Sequence, residues 1–252
     1  MTIRLFGCVC GEFHSPGAAM GLAAARVTVP IPFYVVEHPE GVAVFDCGLH
    51  ADLLNEGDKY REQLRGFEED STVAPEQLAA AHLERLDIDP ARVRYAVLSH
   101  LHFDHAGGLH QFPNATVVVQ RREWEAGADA EMRRRYALPR RFFDLGHDVK
   151  LIDGEHDLFG DGAVTLHPSF GHTPGHQSMR VRSEAGDHLL IADACYHGEA
   201  MAKRTFPAHF DHAAMNRSLD ALLALRGPET VMVYGHDPDQ WGEAPVLPGA
   251  RA

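Results

Sequence analysis

Short apolar runs, closed by polar or turn-forming residues, recur at 3–6, 42–45, 95–98, 116–119, 164–166, 189–191 and 231–234. Runs of this length predict strands. Between them the apolar spacing changes to that of helices. Over 75–86, Ala79, Leu83 and Leu86 fall at i, i+4 and i+7 with Leu78 beside them, after the capping-type residues Ser71 and Thr72. A second helix is predicted over 122–136 and a third over 213–225, where Leu219, Leu222 and Leu223 mark the buried side. Strands followed by helices in both halves predict a layered sheet packed between helices, in the α/β or α+β class. With no low-complexity tract, linker or short-period repeat, the expectation is one domain over residues 1–252.

Composition narrows the picture. The 252 residues carry 23 Lys+Arg against 36 Asp+Glu, a net charge of −13. That balance argues against a nucleic-acid binder, which needs a basic face, and equally against attraction to an anionic membrane. No apolar run reaches the ~18–20 residues of a spanning helix, and the run at 27–36 contains Thr28, Pro30 and Pro32. Near the N-terminus there is one basic residue, Arg4, and Glu12 and His14 cut the apolar stretch, so a cytoplasmic protein without a secretory signal is expected. Cys8, Cys10, Cys47 and Cys195 lack CxxC spacing and are expected to be reduced. Seven arginines lie at positions 121, 122, 133, 134, 135, 140 and 141, interleaved with Glu123, Glu125, Asp129 and Glu131. The pattern predicts a solvated, salt-bridged helix face in preference to an anion site, and no chemistry is assigned to it.

Eighteen histidines exceed what a core requires. The strand at 95–98 runs into Ser-His-Leu-His-Phe-Asp-His-Ala-Gly-Gly over 99–108, with four ligand-type side chains within six residues. On an extended loop, alternate residues project to one side, so His100 and His102 can face one ion while Asp104 and His105 turn toward a second. Imidazole and carboxylate are the ligand types of Zn, Fe, Mn or Co hydrolytic sites, and Gly107 and Gly108 are expected to let the backbone turn sharply. Further candidates follow in order. His172 lies in the turn-rich Gly-His-Thr-Pro-Gly-His segment at 171–176, Asp193 closes the run from His188, and His236 follows the strand at 231–234.

This set resembles the metallo-β-lactamase superfamily. Its finer features, SHLHFDHAGG at 99–108, GHTPGHQS at 171–178, DACY at 193–196 and YGHD at 234–237, resemble the N-acyl-homoserine lactonase branch. The resemblance implies a four-layer αββα sandwich with a two-metal cleft at one edge of the paired sheets. It makes His100, His102 and His172 ligands of one metal and Asp104, His105 and His236 ligands of the other, with Asp193 bridging both. The implied cofactors are two divalent transition metals per chain, zinc foremost, with iron, manganese or cobalt open. Asp46 matches an acidic position near the site, either orienting a ligand histidine or serving as a turn residue. His176 is expected to be structural and Cys195 to be a packing residue. His110, His147, His156, His167, His197, His209 and His212 have no motif support.

Two cations ~3.5–4 Å apart share a bridging hydroxide at about pH 7, so the implied reaction is its attack on a lactone carbonyl. Asp104 is positioned to pass the proton from the water to the leaving alkoxide, and Tyr196 to donate its phenolic hydrogen to the oxyanion. The implied partner is a small-molecule lactone, with a homodimer open. Sister activities fit less well. Nucleases want a basic surface, hydroxyacylglutathione hydrolases a basic helical C-terminal region where only 16 residues follow His236, and flavin-coupled reductases an additional domain. The competing readings are another lactone, such as a pyridoxolactone-like ring, an aryl or phosphate ester, or a metal-binding protein without catalysis. Acyl-chain preference is expected to depend on the segments 16–26 and 133–143.

Overall fold

The computed structural model describes residues 2–54, 71–242 and 247. Among these, one sheet contains β1 (Arg4–Pro16), β2 (Arg26–His38), β3 (Gly41–Phe45), β4 (Ser71–Thr72), β5 (Val93–Val97), β6 (Thr116–Gln120) and β7 (Val149–Ile152), in the order β4-β1-β2-β3-β5-β6-β7. A second contains β8 (His156–Asp157), β9 (Val164–Pro168), β10 (Gln177–Ser183), β11 (Gly186–Ala192) and β12 (Val231–Tyr234), in the order β12-β11-β10-β9-β8. The helices are α1 (Ala79–Arg85), α2 (Phe103–Ala106), α3 (Arg121–Ala126), α4 (Ala130–Tyr136), α5 (Gly198–Lys203) and α6 (His212–Leu225). β1, β2 and β3 pair antiparallel, whereas β3, β5, β6 and β7 run parallel. Parallel neighbours need crossovers, and α1, α3 and α4 lie on these connections.

Three apolar layers hold the sandwich. Leu5, Phe45, Val97 and Val118 of the larger sheet pack with Leu166, Met179 and Leu190 of the smaller. Val44, Ala96 and Val119 pack on the other side with Leu83 and Tyr136, while Leu189 and Ile191 of β11 pack against Leu219 and Leu222 of α6. The result is the expected αββα order. Val117, Val118 and Val119 are all fully buried, which explains the unbroken apolar run of β6, a strand covered on both faces. Each such side chain contributes roughly 1.5–3 kcal/mol by leaving water.

Several elements differ from the sequence pattern. The run at 27–36 belongs to β2, with Pro30 opposite Glu12 and Pro32 opposite Val9, on either side of a register shift in β1. Their missing N–H groups fall where the ladder is already interrupted. β10 has no continuous apolar run because Met179 and Val181 alternate with Arg180 and Arg182, the pattern of a strand with one face in the core. The helix expected at 75–86 is a 3-10 turn at Pro75–Gln77, broken by extended Leu78, before α1. The helix expected at 122–136 divides into α3 and α4 because Asp129 caps the second, accepting from the backbone N–H groups of Glu131 and Met132 at 2.8 and 2.9 Å. No described helix is long and apolar enough to cross a membrane, and all four cysteines are free and buried.

Candidate metal centre

Five loops at the C-terminal ends of strands converge on one point. β3 leads to Asp46, β5 to the 99–105 segment, β9 to His172, β11 to Asp193 and β12 to His236. The aim of Asp193 is set by its backbone, because the preceding Ala192 has φ +45 and β11 shifts register against β12 between Leu190 and Ala192. A left-handed alanine is costly and persists only where its surroundings enforce it. Close approach governs the glycines here. A Cβ on Gly108 would lie 1.9 Å from the Cys47 carbonyl oxygen and one on Gly235 2.5 Å from Asp193 Oδ1. Gly107 and Gly108 thus let the backbone pass close to the 47–50 loop, and neither has a positive φ.

The seven candidate ligands fall into two buried groups, His100, His102, His172 and Asp193 in one and Asp104, His105 and His236 in the other. His100 Nε2, His102 Nδ1 and His172 Nε2 form a triangle with sides of 2.9, 2.9 and 3.1 Å. Neutral imidazoles cannot all donate to one another around such a ring, since each has one N–H and one lone pair. Lone pairs converging on a cation account for it, because nitrogens ~2.0–2.1 Å from a tetrahedral ion stand about 3.3 Å apart. Asp193 lies between the groups, with Oδ2 3.2 Å from His172 Nε2 and 3.4 Å from His105 Nε2, and Oδ1 3.2 Å from His236 Nε2. Asp104 Oδ2 stands 3.5 Å from His105 Nε2 and 3.7 Å from His236 Nε2. The residues therefore fit a pair of divalent cations by donor type, spacing and burial.

Three of the outward nitrogens have partners. His105 Nδ1 faces Asp46 Oδ2 at 2.9 Å, His236 Nδ1 faces the Pro30 carbonyl at 2.8 Å and His100 Nδ1 faces Ser99 Oγ at 2.9 Å. A proton held at Nδ1 of His105 and His236 leaves Nε2 free for an ion. Asp46 also accepts from the Ser99 amide and hydroxyl at 2.7 and 2.8 Å, so it orients a ligand loop rather than only closing a turn. Burial lowers the pKa of His100 and His172 well below the ordinary value and takes His102 down to about 4, keeping all three neutral. His105 and His236 shift upward: burial opposes the charge, but the carboxylates of Asp193 and Asp104 prevail at both.

Glu123 was hidden in the sequence among arginines and acids. It is fully buried and accepts hydrogen bonds from the Leu101 amide at 3.0 Å, Thr173 Oγ1 at 2.8 Å and the Gly175 amide at 2.8 Å. It thereby ties the loop carrying His100 and His102 to the loop carrying His172, and the solvated-face expectation fails at this position. His176 binds Ser169 Oγ through Nδ1 at 2.8 Å and lies outside both ligand groups. Cys195 is buried and its thiol is pushed up to about 12, which leaves it a packing residue.

A cavity of about 360 Å³ opens onto Asp104, Asp193 and His236, with Phe13, Met20 and Phe103 among its apolar walls. Both segments expected to shape substrate access contribute to it, the first through Ala19 and Met20 and the second through Tyr136 and Ala137. Tyr196 also lines it, its ring 5.5 Å from that of His236 and 5.7 Å from that of His172. Burial, reinforced by the carboxylates of Asp193 and Asp104, pushes the Tyr196 phenol up and keeps its proton in place. His209, which no motif singled out, stands on the same wall.

A sequence profile described as "Metallo-beta-lactamase superfamily" matches residues 27–236. The chain is 34% identical over 246 residues to the N-acyl homoserine lactonase AttM of Azorhizobium caulinodans, covering 89% of this chain and 88% of that protein. It is 28% identical over 225 residues to the N-acyl homoserine lactonase AiiA of Bacillus thuringiensis subsp. kurstaki, covering 88% and 87%. A solved N-acyl homoserine lactone hydrolase, with N-hexanoyl-L-homoserine bound at its catalytic metal centre, superposes with a TM-score of 0.82 at 28% identity, covering 96% of each chain.

Proposed function

The chain belongs to the metallo-β-lactamase superfamily, and we propose that it is a metal-dependent lactonase that opens the ring of N-acyl-homoserine lactones and leaves the side-chain amide intact. One observation carries this reading: Asp193 of the first ligand group stands 3.4 Å from His105 Nε2 and 3.2 Å from His236 Nε2 of the second, and Tyr196 from the same four-residue element lines the cavity above them. A structural ion needs neither an adjoining cavity nor a phenol on its wall.

His100, His102 and His172 would hold one divalent ion, Asp104, His105 and His236 the other, and Asp193 both, with zinc foremost and iron, manganese and cobalt as alternatives. When bound, such ions polarise an ester carbonyl and bring the pKa of water toward neutrality. Tyr196 donates its hydroxyl proton in a hydrogen bond to the carbonyl oxygen as charge develops there. The carboxylate of Asp104, a residue of the cavity wall, takes the proton of the attacking water and returns it to the departing alkoxide. Phe13, Met20 and Phe103 receive the acyl chain and exclude water. We assign this activity to residues 1–252 as one catalytic unit, acting in the cytoplasm.

The test is incubation of metal-loaded protein with a lactone panel, followed by mass spectrometry. Acyl-homoserine lactones should gain one water and remain amides. Release of a fatty acid with intact homoserine lactone would make the enzyme an amidase. Opening of another lactone alone would move only the substrate assignment.

A further inference from the structure

A second, larger cavity of about 680 Å³ adjoins the metal centre, and His102 and His172 stand on its wall together with Arg122, Arg134 and Arg135. Its volume lies within the range of small-molecule sites. The seven arginines between positions 121 and 141 divide by surroundings. Those turned elsewhere are engaged: Arg121 pairs with Asp153 at 3.0 Å, Arg140 with Asp144 at 2.7 Å, and Arg133 donates to the Gly127 and Ala128 carbonyls, while Arg141 stacks on Phe142. Among the described residues, the three on the cavity wall form no ion pair within 4 Å, and Arg134 acts on Asp129 only from farther away. Arg122 stacks at 4.6 Å on Phe170, itself a wall residue, and Arg135 reaches only Met132 Sδ at 4.0 Å. The acidic wall residue, Asp211, is occupied in capping α6, where it accepts from the Ala214 amide at 2.9 Å. In a chain of net charge −13, three cations gathered on a wall that carries one carboxylate, Asp211, repel one another, and an anionic guest relieves that repulsion. Guanidinium groups match the planar fork of a carboxylate.

We propose that this cavity is an anion subsite that takes a carboxylate at the far end of the substrate's acyl substituent, so that the preferred substrates are lactones carrying an acidic side arm. The proposal rests on the lactonase reading for the position of the ring. Arg135, Tyr136, His209 and Phe210 line both cavities, so one molecule can place its ring by the metal ligands and its acid among the arginines.

The experiment compares two N-acyl-homoserine lactones of equal chain length, one ending in methyl and one in carboxylate, on the metal-loaded wild type and on R122Q/R134Q. Neither of these two arginines lines the smaller cavity. The double variant should lose about 10-fold in kcat/KM on the carboxylate-ended substrate, mainly through KM, and stay within about 2-fold on the methyl-ended one. Raising salt from about 50 to about 500 mM should reduce the wild-type preference, because exposed arginine–carboxylate attraction is screened. A preference unmoved by both the variant and salt would overturn the subsite, and so would equal losses on both substrates. If neither lactone is opened, the lactonase reading fails, and the subsite is then decided by calorimetric binding of the corresponding non-hydrolysable lactams. Tighter binding of the carboxylate-ended lactam to wild type than to R122Q/R134Q sustains it, and equal binding refutes it.

Discussion

The two halves of the metal centre are built differently. The half around His100, His102 and His172 is an imidazole trio, with His100 and His172 buried and His102 part-buried, and burial lowers the pKa of all three. The half around Asp104, His105 and His236 places imidazoles against carboxylates, and these histidines are biased toward the charged form. Support differs as well. Glu123 clasps the two loops of the first half, whereas in the second Asp46 faces His105 directly, reaching His100 of the first only through Ser99, and the Pro30 carbonyl orients His236. The same ligand type is thus biased toward the neutral form in one half and toward the protonated form in the other. Surroundings decide this more than residue identity does.

Removing the shared member should abolish the difference by damaging both halves. Asp193→Asn is expected to lower metal content at both positions and cut lactone opening ~1,000-fold or more, beyond the ~10–100-fold typical of an outer partner. Elemental analysis beside kinetics checks it, and full metal content with normal rates would remove Asp193 from its role. Tyr196→Phe keeps both halves intact. It should retain the metals and lose roughly 10- to 1,000-fold in kcat/KM, the order of one lost hydrogen bond to the transition state. A change confined to KM would reassign the phenol to ground-state binding.

Two outer variants should separate the halves. Asp46→Asn is expected to weaken the ion beside His105, and Glu123→Gln the ion of the imidazole trio, each by ~10–100-fold in affinity. Competition with a coloured chelator measures both. Equal weakening of the two ions by either variant would show that the halves are not independently supported.

The smallest effect is in protons. The upward shifts of His105 and His236 favour their protonated forms in the metal-free protein, so filling that half should release protons and affinity there should rise with pH. The trio is already neutral, and its affinity should be nearly flat between about pH 6 and 8. Calorimetry in buffers of different ionisation enthalpy should register proton release, about one to two per chain, during filling of the Asp104 half only. Release during filling of the other half would contradict the charge states described above.

Much of the centre was legible because its ligands follow strand ends in chain order, and an apolar run closed by His or Asp can be read directly. Elements with a continuous apolar run were likewise readable: β3, β5, β6, β11 and β12 stand where the pattern placed them. β10 was not, since alternation on a half-covered strand dilutes the apolar signal. Glu123 was misread for a related reason: beside Arg121 and Arg122 a glutamate looks like a surface partner, and only its burial against Leu101, Thr173 and Gly175 shows otherwise.

By itself, then, the amino-acid sequence determined the fold class and the set of ligand-type residues, because both depend on residue type and short-range order. Tertiary structure alone decided which nitrogen of each histidine faces the centre, which histidines are biased to the neutral form, and which three arginines of seven stand on the wall of a cavity. These are properties of distance and dielectric between segments up to 206 residues apart, as for His236 and Pro30, and no local pattern encodes them.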